Sequence, residues 1–217
     1  MECVDRKQIS KTKYLAAFAT TTLIFMIGLF IGSYVTNLKL QKLDQLEQDL
    51  RMDTMAIEIE YLLVSENPCT AINTSSLTEQ LYNVGTKLDY MENNLGEIDE
   101  RVQTLKGYYS LLEMRHWIFI KKTIHQCNNS FVPILYFYSN KGDCPTCEEQ
   151  GFVLNYIRKK YSTTRVYSFD ININNSALTT LRGIYDVTKA PAIIINDQKH
   201  HGFMDRDAVE QSLNAVH

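Results

Sequence analysis

The chain has no excess of basic residues. Its 22 lysines and arginines are outnumbered by 25 aspartates and glutamates, and the formal net charge is -3 at pH 7. It therefore carries none of the positive field that concentrates nucleic acid, and nucleic-acid binding is excluded as a function class. Nor does it lack apolar residues: 45% hydrophobic and 22% charged are the fractions of an ordinary folded protein, so disorder is not expected. The 217 residues leave room for one large or two small domains.

A local absence is more informative. Residues 14–38, "YLAAFATTTLIFMIGLFIGSYVTNL", hold no charge, and at about 1.5 Å rise per residue a helix of that length exceeds the roughly 30 Å hydrocarbon core of a bilayer. No small-x-small cleavage site follows the apolar run, because Gly32 and Ser33 adjoin Tyr34 and Val35. An uncleaved membrane anchor is expected rather than a signal peptide. Arg6, Lys7, Lys11 and Lys13 precede the run and only Lys39 and Lys42 follow closely, which puts the N-terminus in the cytoplasm and the bulk of the chain outside it. Gly28 and Gly32 form a small-xxx-small pair that would let two such helices approach as a homodimer, although glycine is common in membrane spans on any account.

Beyond the anchor, Leu43, Leu46, Leu50, Ile57 and Val64 recur on a seven-residue pattern interrupted by Asp53 and Glu60. This reads as a helical stalk that ends at Asn67-Pro68, since the residue before proline avoids helical geometry. Ser76 to Glu79 fits a capping box, and Leu77, Leu81, Val84, Leu88, Met91 and Leu95 then step by four and three along one face. Gly96 is a turn. A third helix over 97–125, with Ile98, Val102, Leu105, Tyr109, Leu112 and Phe119 inward, completes an antiparallel hairpin.

Cys127 then projects roughly 15 Å beyond Ser76 along the longer helix, and the residues from Cys69 to Ser75 could span roughly 20 Å when extended. A Cys69–Cys127 disulfide is within reach and suits a chain exported from the reducing cytosol, with two unpaired buried cysteines as the alternative. Cys3, on the other side of the anchor, should be a free thiol.

After Cys127 the pattern changes. Residues 131–139, "FVPILYFYS", are of strand type; a helix over 145–161 places Phe152, Val153, Tyr156 and Ile157 on one side; strands follow at 165–173, 192–196 and 199–204, with helices at 177–187 and 206–216 and a tight turn at Asp197-Gln198. The order is βαβαββα, an α/β arrangement. The expected organisation is a cytoplasmic N-terminus over residues 1–13, a transmembrane anchor over 14–38, a helical stalk and hairpin over 39–127 and the α/β domain over 128–217. Sequons at Asn73, Asn128 and Asn174 would permit glycosylation of an exported domain, and arise by chance in polar loops.

"YSNKGDCPTCEEQ", residues 138–150, follows the first of these strands. Cys144 and Cys147 could be half of a zinc site, a structural staple or a redox dithiol. At a strand-to-helix junction Cys144 would meet free backbone amides and the positive helix end, which stabilise thiolate, and Cys147 one turn on could attack a mixed disulfide formed at Cys144. Pro145 suits a first helical turn, where no amide donor is needed.

The order βαβαββα, with CxxC at the end of its first strand and Ala190-Pro191 just before the strand "AIIIN", resembles the thioredoxin superfamily over about residues 131–216. The resemblance implies a thiol–disulfide oxidoreductase in which Cys144 attacks, Cys147 resolves and a cis bond before Pro191, with Ala190, presents a backbone edge to an extended substrate. It also implies protein thiol or disulfide substrates and a redox partner, not identifiable here; no cofactor and no metal are expected. Two departures stand out. Asp143 occupies the place of the family's tryptophan, where its charge opposes the helix end, and the strand before the motif carries no carboxylate to assist the second cysteine. Glu148 or Glu149 could substitute or simply be solvated. Oxidant, reductant and isomerase are therefore left open. The rival readings are a non-catalytic assembly or scaffold protein, copper handling by the two cysteines with His200 or His201, and zinc, for which adjacent strand residues point to opposite faces.

Overall fold

A computed structural model of the protein describes residues 11–71 and 76–215. Cys3, Arg6, Lys7 and the sequon at Asn73 lie outside the described residues. The chain forms two compact units, Met1–Gln48 and Asp49–His217, so the expected boundary at residue 127 falls inside the second.

Helix α1 (Lys11–Glu66) runs through the first unit, and its apolar window is long enough to cross a membrane, with none of that window buried against protein. Threonine hydroxyls along it are satisfied by the helix itself: Thr21 Oγ1 donates to the Ala17 carbonyl at 3.0 Å, Thr22 to Phe18 at 2.8 Å and Thr36 to Gly32 at 2.9 Å. Internal satisfaction of this kind is what an apolar surrounding requires.

In the second unit, residues 49–66 of α1 pack with α3 (Leu77–Leu95) and α4 (Glu100–Cys127), while α2 (Pro68–Ala71) is one short turn. Leu50, Ile57 and Val64, one heptad apart, are buried, as are Leu77, Leu81, Val84, Leu88 and Met91 of α3. The Tyr61 hydroxyl reaches the Arg115 carbonyl at 2.9 Å and its ring meets Phe119 edge-on. Two expectations fail here. Ser76 makes no capping bond to the α3 amides; its backbone N–H instead donates to Glu60 Oε1 at 3.1 Å, and Gln80 links both residues. A carboxylate from a neighbouring helix thus takes the role a local Glu79 would have had. Ile98 is 94% exposed, because α4 starts only at Glu100, capped by Asp99, whose carboxylate accepts from the Arg101 amide.

From Val132 the elements are β1 (Val132–Tyr138), α5 (Cys147–Lys160), β2 (Thr164–Asp170), α6 (Ser176–Ile184), β3 (Ala192–Ile195), β4 (Gln198–His201) and α7 (Arg206–Asn214). The mixed sheet has the order β2-β1-β3-β4, with β1 parallel to β2 and antiparallel to β3. The β3–β4 turn is Asn196-Asp197, both at positive φ, the geometry whose twist suits a two-residue hairpin; the turn lies one residue before the expected position.

Alternation along β1 splits its side chains between two cores. Leu135 and Phe137 meet Met114 and Trp117 of α4 and Leu178 and Leu181 of α6 on one face. Ile134 and Tyr136 meet Leu154 and Ile157 of α5 and Val209 and Leu213 of α7 on the other. The inward face of α5 is Cys147, Gln150, Leu154 and Ile157; of the expected group Ile157 is buried and Val153 packs against the same core, whereas Phe152 and Tyr156 are exposed.

Candidate redox site

The motif emerges where β1 ends. Cys144 and Cys147 are joined as a disulfide with Cα atoms 5.4 Å apart. Cys144 is half-buried and Cys147 buried. Helix α5 begins at Cys147, two residues later than expected, because Cys144 to Cys147 closes a turn in which the Cys147 N–H donates to the Cys144 carbonyl at 3.2 Å. Cys147 rather than Pro145 therefore opens the first helical turn. Two buried groups fix it there. The Tyr136 hydroxyl donates to the Cys147 carbonyl at 2.6 Å, and burial raises that phenol further above its ordinary range. The Gln150 amide clamps the Met204 backbone on both sides, Nε2 to the carbonyl at 3.1 Å and Met204 N–H to Oε1 at 2.7 Å. Glu148 and Glu149 are exposed in the first turn, a placement the helix dipole favours.

Ala190 and Pro191 come to the same end of the sheet. Ala192 pairs with Phe137 in the antiparallel register, so the residues before it face the end of β1 from which the motif loop leaves. The Ala190–Pro191 bond is cis, Pro191 is buried, and its carbonyl accepts from the Gly202 N–H at 3.0 Å. At the remote end of α4, Cys127 is bonded to Cys69 of α2, Cα atoms 5.3 Å apart.

Cys144 and Cys147 line a cavity of about 990 Å³ bounded by α3, α4, α5 and the β1–β2 region. Sequence reasoning missed its ionisable wall, which comes from α4. Glu113 is 4% exposed; its carboxylate accepts from the Tyr109 hydroxyl at 3.0 Å and from the Ser168 N–H on the outer edge of β2 at 3.0 Å. Burial pushes this carboxyl up to about 8 against the pull of those hydrogen bonds, so it holds its proton near neutrality. Tyr109 fits only because residue 85 is glycine: a Cβ there would stand 2.7 Å from the hydroxyl. His116, shared with Tyr167 at 2.9 Å, is pushed down to about 4 by burial and by Arg165. Lys106, 3% exposed, is held by Glu92 at 2.9 Å and Asp170 at 3.1 Å. Burial opposes its charge, but these two carboxylates prevail and raise its pKa.

His200 and His201 are half-buried and exposed on β4, and among the described residues no three His, Cys, Asp or Glu side chains gather as a metal site requires. What the arrangement can do chemically is exchange electrons through one disulfide. Cys147 is on the first helix turn and buried, and Cys144 before it is half-buried.

No family model matches the chain, and no curated protein matches it. Among solved structures it is similar to one described as a malarial protein, at 18% identity over 40% of this chain and 98% of that one, with a TM-score of 0.33. It is also similar to the germline-specific thioredoxin Deadhead of Drosophila melanogaster, at 18% identity over 46% of this chain and 91% of that one, with a TM-score of 0.31.

Proposed function

We propose that this chain is a membrane-anchored, thioredoxin-like thiol–disulfide oxidoreductase whose α/β domain works outside the cytoplasm. The observation that carries the reading is the Cys144–Cys147 pair, bonded across the junction of β1 and α5 with Cys144 half-buried and Cys147 buried.

In the reducing direction the Cys144 thiolate attacks one sulfur of a client disulfide. A Cys144–client bond forms, the client S–S bond breaks, and the departing sulfur takes up a proton. The Cys147 thiolate then attacks the Cys144 sulfur, the mixed disulfide breaks, and the second client thiol leaves protonated. Two electrons pass to the client and Cys144–Cys147 is left oxidised; the reverse sequence oxidises a client dithiol. Ala190 and Pro191 would offer the backbone edge on which the client segment lies. The Cys69–Cys127 bond would staple the base of the helical hairpin, and the apolar stretch of α1 would hold the protein in the bilayer with its N-terminus cytoplasmic. A second redox protein would return the dithiol to its working state.

The test uses the full chain in its membrane. Cys147→Ala should leave Cys144 trapped with clients as adducts released by reductant, and the unmodified protein should reduce a disulfide-linked peptide. Absence of both, with function in cells unaffected by Cys144→Ser, would reject the reading in favour of a scaffold. Metal retained by the reduced protein and lost with Cys144→Ser would instead point to copper handling.

A further inference from the structure

The polar groups around Lys106 close into a ring that joins the helical hairpin to the loop before Cys144. Lys106 Nζ on α4 donates to Glu92 Oε1 of α3 at 2.9 Å and to Asp170 Oδ2 at the end of β2 at 3.1 Å. Asp170 Oδ1 accepts from the Asn172 side-chain amide at 3.0 Å. The same Asn172 nitrogen donates to Ser139 Oγ at 2.7 Å, and Ser139 Oγ donates to Asp143 Oδ1 at 2.5 Å. Asn140 closes the circuit, its amide nitrogen donating to Glu92 Oε1 at 2.8 Å.

The directions along this ring follow from donor counts. A hydroxyl has one hydrogen and two lone pairs. Ser139 Oγ already receives hydrogens from Asn172 and, at 3.4 Å, from the Lys141 N–H, so its own hydrogen is committed to Asp143. The Asp143 carboxylate, next in sequence to Cys144, is thereby tied to a buried lysine through three intervening residues. A negative charge beside a sulfur opposes formation of its thiolate, and one held in place opposes it more than one free to swing into water.

We infer that Lys106, Asn172 and Ser139 are positioning residues for the dithiol: they fix the carboxylate of Asp143, the residue preceding Cys144, and so set the reactivity of that thiol from within the helical hairpin. This rests on reading Cys144 as the attacking thiol. It assigns the hairpin a part in the chemistry.

The test is the pH midpoint of Cys144 alkylation by iodoacetamide, read by mass spectrometry on reduced full-length protein in detergent, with Cys147→Ala throughout so that one thiol of the motif reacts. Asp143→Asn should lower the midpoint by about 0.5 to 1 pH unit, the range for a single exposed like charge. Ser139→Ala and Asn172→Ala should each lower it in the same direction and add nothing once Asp143→Asn is present, the signature of acting through one group. Lys106→Met also removes a positive charge paired with Glu92 and Asp170, which by itself raises the midpoint, so the two neutral-for-neutral variants carry the test. The other titratable and charged groups on the cavity that Cys144 lines are Glu79, Asp89 and Glu92 of α3, Glu113 and His116 of α4, Glu148 and Arg158 of α5 and Arg165 of β2. They are common to all variants and cancel in the differences. No shift on Asp143→Asn, no shift on Ser139→Ala and Asn172→Ala, or equal shifts with and without the Asp143 charge would each overturn the inference. Alkylation needs no turnover, so the pattern can hold in a protein that reduces nothing, which would reject the proposed function alone.

Discussion

Glu113→Gln should remove a pH dependence of stability that the wild-type fold carries near neutrality. The folded carboxyl sits at about 8 and an unfolded one near 4.5. Between these values the folded chain keeps a proton that the unfolded chain has released. Stability must therefore fall as pH rises through that window and be flat outside it. At about 1.4 kcal/mol per pH unit, the full window is worth on the order of 4 to 5 kcal/mol, an upper bound for a group whose surroundings can relax. His116 acts oppositely. Its folded value near 4, against an ordinary 6.5, makes stability rise with pH between those limits, so the two slopes nearly cancel up to pH 6.5 and Glu113 dominates only above it. The assay is the unfolding free energy of full-length wild type and Glu113→Gln in one detergent from pH 5 to 8.5. Their difference should move toward the variant by about 1 kcal/mol per unit across pH 6 to 8, because every other titrating group is shared. Parallel pH profiles for the two proteins would refute the argument, since they would mean that Glu113 is ionised in its buried site or reaches water.

Other substitutions test the packing around the site. Removing the Cys69–Cys127 bond by Cys69→Ser with Cys127→Ser frees a loop of sequence separation 58 and should cost about 4 kcal/mol in chemical denaturation on the loop-entropy scale. Gly85→Ala forces its new methyl against the Tyr109 hydroxyl and should cost about 1 to 3 kcal/mol by thermal unfolding; adding Tyr109→Phe removes the clashing oxygen but also the donor to Glu113, so only part of the cost should be recovered. Tyr136→Phe removes the hydroxyl that donates to the buried Cys147 carbonyl and leaves that oxygen only its bond within α5. It should destabilise by about 0.5 to 1.5 kcal/mol and speed hydrogen exchange in the first turn of α5; an unchanged exchange rate would show that the turn is held by other means.

How much was readable follows from what each element packs against. Helix α3 has one inward face, and its four-and-three spacing matches the buried Leu77, Leu81, Val84, Leu88 and Met91. Helix α4 is covered on two sides. Leu105, Leu112 and Phe119 match the single apolar stripe expected, but Met114 and Trp117 face the sheet, and Lys106, Ser110, Glu113 and His116 are buried as well. A periodicity argument follows one apolar face, so it gave no place to these polar residues. Their spacing of four and three is itself a stripe, and it becomes visible as such only once β2 is known to lie against it. The inward face of α5 was read only in part, through Ile157 and Val153, for a related reason: the helix begins at Cys147, and its buried set includes the polar Gln150, whose partner Met204 is 54 residues away.

The sequence by itself determined the succession of elements, the uncharged run of residues 14–38 and the place of Cys144 and Cys147 at a strand-to-helix junction. These rest on local physics: alternation, helical period, turn chemistry and the absence of charge within a single segment. Only the tertiary structure decided which polar groups share the cavity with the dithiol, that Glu113 keeps its proton and that Asp143 is linked through Ser139 and Asn172 to Lys106. Desolvation and hydrogen-bond partnership are set by chain segments distant in sequence, and no local pattern encodes which segment will arrive.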